Sequence, residues 1–147
     1  LGFPAGLAQL TIPIVLVGQI VGGTAALVLS NSLPHRPAIV SSLTIFLGAL
    51  LLLNHATAPA VVLPLYALIG FCWMFLGPFF VGWLLHLDPG RGTAQLFPAA
   101  QLLGIALGPL ISGLTEGSVL HASGFSAAAA LAALAAFFLA GRVTGGR

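Results

Sequence analysis

Apolar residues run along this chain in five long blocks, at approximately 7–30, 38–53, 60–86, 94–114 and 124–141, with polar residues gathered between them. Crossing a hydrocarbon core of roughly 30 Å takes about 20 helical residues. The first, third and fourth blocks meet that length. The second falls short unless it borrows from Asn54 to Ala58, and the fifth is marginal. None keeps the strict alternation of a membrane β-barrel strand. Backbone in lipid must satisfy its own hydrogen bonds, so the pattern predicts helices. The connectors are Ser30 to Pro37, Asn54 to Pro59, Asp88 to Gly92 and Thr115 to Ser123, each marked by Gly or Pro as turns require. Connectors this short predict that consecutive helices lie side by side and antiparallel.

Composition sharpens the picture. Of 147 residues, 59% are hydrophobic and 4% charged, whereas a soluble domain is about a quarter charged. The expected fold class is therefore an all-α integral membrane protein with five transmembrane helices. The six formal charges are Arg36, Asp88, Arg91, Glu116, Arg142 and Arg147. Four scattered arginines form no patch that could neutralise phosphates, which excludes nucleic acid as a partner. Cys72 is a single thiol inside an apolar block, so it is expected to be buried and inert.

The arginines also orient the chain. Arg36 follows the first span, Arg91 the third, and Arg142 and Arg147 the fifth. All four fall on one side of a five-helix zigzag, and the positive-inside rule makes that side cytoplasmic. The expectation is an N-terminus outside and a C-terminus in the cytoplasm. The chain opens on Leu1, with no basic region ahead of its first apolar block, unlike a signal peptide. It is expected to be the C-terminal piece of a longer protein with at least one further helix upstream.

The spans differ in what they carry. Spans one, three and four are rich in Pro and Gly, while two and five are plainer. On the fourth span Gly104, Gly108, Pro109 and Gly113 combine close helix approach with a bend, which fits a packed helix or the moving wall of a cavity. Gln9, Gln19 and Gln101 bear amides that are costly to turn toward lipid, so they point to interhelical hydrogen bonds or to substrate. Trp73 sits mid-span, where it packs in a core or stacks on a ligand. Tyr66 and Trp83, near span ends, are expected as interfacial anchors. No charge lies deep in a span. His35, His55, His86 and His121 fall at loops or span ends, without the spacing of a metal site. Nothing resembles a catalytic triad or a Cys/His pair, so neither enzyme chemistry nor a cofactor is expected.

The run from Tyr66 to Gly82, then Leu87-Asp88-Pro89-Gly90-Arg91, then Gln101 to Gly104 and Leu107-Gly108-Pro109 to Gly113, resembles helices ten and eleven of major facilitator superfamily transporters. The resemblance implies that the five spans are helices eight to twelve of an MFS-like bundle, with spans two and five peripheral. In that family each half is built from inverted repeats, and Gln19-Ile20-Val21-Gly22 is similar to Gln101-Leu102-Leu103-Gly104. The loop between the first two spans departs from the family: it keeps Arg36 but has Asn31 where an acid usually falls.

The functional expectation is secondary active transport of a small organic solute by alternating access, leaning to efflux. The bilayer would be a bacterial inner membrane, and the N-terminal half of the same chain would be partner to this one. Gln9, Gln19, Trp73 and Gln101 are the expected substrate contacts. Gly104, Gly108, Pro109 and Gly113 would shape the moving helix, and Arg36, Asp88 and Arg91 would order the cytoplasmic loops. The weakly polar, aliphatic spans suit an apolar or amphipathic substrate. The alternative is a polytopic assembly or scaffold subunit whose glycines serve packing alone.

Overall fold

A computed structural model of the chain describes residues 5–87, 97–104, 106, 107 and 110, all but the connecting turns helical. The three continuous helices are α1 (Ala5–Leu29), α2 (His35–His55) and α3 (Pro59–Leu87), of 25, 21 and 29 residues. At 1.5 Å per residue they measure about 37, 31 and 43 Å. Each is long and apolar enough to cross a membrane, so the chain is a multi-pass membrane protein. Pro13, Pro64 and Pro78 lie inside α1 and α3, and both helices continue through them. The fifth span lies outside the described residues.

The second helix is longer than its apolar block. It begins at His35 rather than residue 38 and ends at His55 rather than residue 53. Pro37 is the third residue of α2, and the first turn of a helix has no intrahelical use for its N–H groups, so a proline there breaks nothing. Pro59 opens α3 on the same principle.

The turns close the helix ends economically. The Ser30 amide donates to the Ala26 carbonyl at 2.8 Å, and the amides of Ser32 and Leu33 donate to Leu29 at 3.0 and 2.9 Å. The Ser30 hydroxyl donates to Leu27 at 3.2 Å. Three of the four orphan carbonyls of α1 are thereby occupied within a five-residue turn. Inside the helices, Thr24 and Thr44 donate to the carbonyls of Ile20 and Val40, both at 2.8 Å. Those hydroxyls are satisfied within their own helix, which lets them sit at lipid depth.

The helices are not arranged as neighbours in chain order. Both α1 and α2 pack along α3, and they share no seam with each other. The expected side-by-side pairing of the first two spans is thus replaced by the spatial order α1–α3–α2. The α1–α3 seam is made of backbone. A Cβ on Gly18 would meet the carbonyl carbon of Ala67 at 2.9 Å and its Cα at 3.1 Å, one on Gly22 would meet the carbonyl carbon and Cα of Phe71, both at 2.8 Å, and one on Gly70 would strike the backbone of Val15. Gly18 faces residue 67 and Gly22 faces residue 71, so the contact advances in step on both helices and they run parallel.

The α2–α3 seam is made of side chains. Ile39 and Leu43 from α2 interleave with Phe75, Phe79 and Trp83 from α3, and Ala26 of α1 closes the cluster. Ile39 and Phe79 are 0% and 1% exposed. Phe71, Phe75 and Phe79 stack one turn apart along α3, with centroid separations of 5.4 and 4.8 Å. Trp83 is 7% exposed, so it belongs to this core and is not the outward anchor expected of it. His35, expected at a loop or span end, opens α2, fits its ring into the notch left by Gly82 and meets Phe79 edge-on at 6.2 Å.

A steric seam predicts a steric response. Gly18→Ala is expected to destabilise the protein by about 1–3 kcal/mol, the usual cost of overpacking. Gly48→Ala, where nothing lies within 4 Å of an added Cβ, should be neutral or stabilising, since Ala is the better helix former. Thermal unfolding in detergent reads both; equal melting temperatures for the two variants would show that α1 and α3 do not meet through Gly18.

Candidate functional site

The sequence-derived binding residues can now be placed. With 3.6 residues per turn, residue 19 lies about 100° round α1 from Gly18, on a flank of the α1–α3 seam. Gln19 there is half-buried. Ile12, Val15 and Leu16 precede it on the same side, and together with Thr11 and Tyr66 they surround an open volume of about 200 Å³. Gln9, exposed, stands seven residues before Leu16 at the outer edge of that side.

The α3 contribution is heptad-spaced. Tyr66, Trp73 and Phe80 recur every seven residues, two turns apart, so they form a stripe down one side of α3. Tyr66 lines the open volume at the N-terminal end of the stripe. Trp73, about 10 Å further along, is 43% exposed; it is left outside the core of the three helices. At the far end Phe80 packs on Phe97, with ring centroids 5.5 Å apart. That contact brings Phe97 to the same stripe, and Gln101, half-buried, follows Phe97 by one turn.

Three of the expected contacts, Gln9, Gln19 and Trp73, therefore lie along one flank of the α1–α3 pair. Gln9 and Gln19 come from α1 and Trp73 from α3, while Gln101 follows Phe97, whose ring meets Phe80 at the far end of α3. Their chemistry is uniform: carboxamides and an indole, with no ion. Among the described residues the one formal charge is Arg36, at the start of α2. Cys72 is buried as expected.

The glycines divide. Gly104 meets nothing within 4 Å, so among the described residues it supports no close helix approach. Gly22, its counterpart in the similar tetrapeptide, lies in tight contact with Phe71. Asp88, Arg91, Gly108, Pro109 and Gly113 lie outside the described residues. Two contributors escaped the sequence reading. Gly18 was legible in its four-residue spacing from Gly22, and the place of Tyr66 was legible in the heptad it shares with Trp73.

No protein-family model matches the chain, and neither a curated protein nor a solved structure does.

The two tryptophans offer a direct check on this placement. With Trp83→Phe the remaining indole, Trp73, should be quenched strongly, by brominated lipid tails if the flank meets lipid or by acrylamide if it meets water. With Trp73→Phe the remaining Trp83 should resist both quenchers. Equal shielding of the two indoles would place the stripe in the core instead.

Proposed function

We propose that the chain forms part of a secondary transporter of the major facilitator type, moving a small uncharged organic solute by alternating access. The observation that supports it is the flank just described. Hydrogen-bonding and stacking groups without charge are strung along parallel α1 and α3 on the side where Phe97 meets Phe80. Polar side chains at bilayer depth mark substrate paths when they are not spent on neighbouring helices, and Gln19 and Trp73 stand beside the seam, not in it.

In this reading Gln9, Gln19 and Gln101 bind the polar part of the solute and Trp73 its apolar face. The glycine seam holds α1 and α3 as one wall, and the other wall comes from the remainder of the transporter. Arg36, Asp88 and Arg91 lie at the cytoplasmic ends, with the N-terminus outside, five spans in all, and a bacterial inner membrane as the setting. Efflux is the direction the reading leans to, because Gly108-Pro109 on what would be helix eleven resembles, as its pseudo-symmetric counterpart, a motif that family antiporters carry on helix five. A scaffold subunit is the second reading, and the glycine seam favours it to the extent that close packing alone explains Gly18, Gly22 and Gly70.

Water access separates the two. In a Cys72→Ala background, Gln19→Cys and Gln101→Cys should react with a membrane-impermeant maleimide at least tenfold faster than Leu27→Cys, which lies on the exposed apolar surface of α1. Rates equal to that control would fit a scaffold and sink the transport reading. Gln101→Ala should cut solute flux severalfold; unchanged flux would remove Gln101 from the binding set.

A further inference from the structure

We draw no further inference here: the strongest candidate, the open apolar face that Ile12, Val15 and Leu16 of α1 form beside Tyr66 of α3, adjoins the flank already described, and nothing in the structure shows what covers it.

Discussion

Lipid tails are as apolar as leucine, so nothing in a bilayer pushes two greasy helices together; they associate only as far as their surfaces fit. That constraint governs this chain. Where α1 meets α3, the fit is achieved by removing side chains, with Gly18, Gly22 and Gly70 each laid against the opposite backbone. Where α2 meets α3, it is achieved by interdigitating large ones, Ile39 and Leu43 among Phe75, Phe79 and Trp83. The two solutions give one helix two unlike faces. They also explain why burial here cannot be converted to stability as in a soluble core: the alternative to Phe79 packing on Ile39 is Phe79 in hydrocarbon, not in water.

The flank left between these seams inherits its character from them. Because the glycine contact draws the α1 and α3 backbones together, side chains a quarter-turn away are splayed to either side. On one side they are Ile12, Val15, Leu16, Gln19, Tyr66 and Trp73. A closely packed pair of helices is a stiff platform, and groups mounted on rigid elements hold their spacing better than groups on loops. Residues 97–104 reach the same platform through Phe97 on Phe80. The chemistry presented is therefore fixed in position but mild in kind, suited to recognising shape and a hydrogen bond and unsuited to moving protons or holding metal.

The existence and type of the helices were readable from the chain, because about twenty consecutive apolar residues between Gly/Pro clusters have few other uses in a membrane protein. The limits of α2 were not, since His35, Arg36 and Pro37 look like loop until one notes that a first helical turn tolerates proline. The neighbours of each helix were less readable still. In α1 and α3 nearly every position is apolar, so no stripe says which side is inward, and loop length suggested the wrong pairing. Gly18 and Gly22 held the information in their spacing, but Gly48, Gly77 and Gly104 meet nothing within 4 Å. Gln19 and Trp73 were singled out for being polar or large where neither is cheap; that they share a flank needed the phase of both helices.

The spatial order α1–α3–α2 has a consequence for how the molecule is built. As the chain emerges from the ribosome, α1 and α2 enter the bilayer with no seam between them. Gly18 and Gly22 then open onto lipid, and Ile39 and Leu43 have no aromatic rings to enter. Assembly must wait for α3, the longest of the three, whose arrival supplies both missing partners at once. Until then the five-residue turn from Ser30 to Pro34 alone keeps the pair within reach. Among the three described helices the third is in this sense a keystone, and a ribosome stalled before it would leave α1 and α2 without the seams that each makes with it.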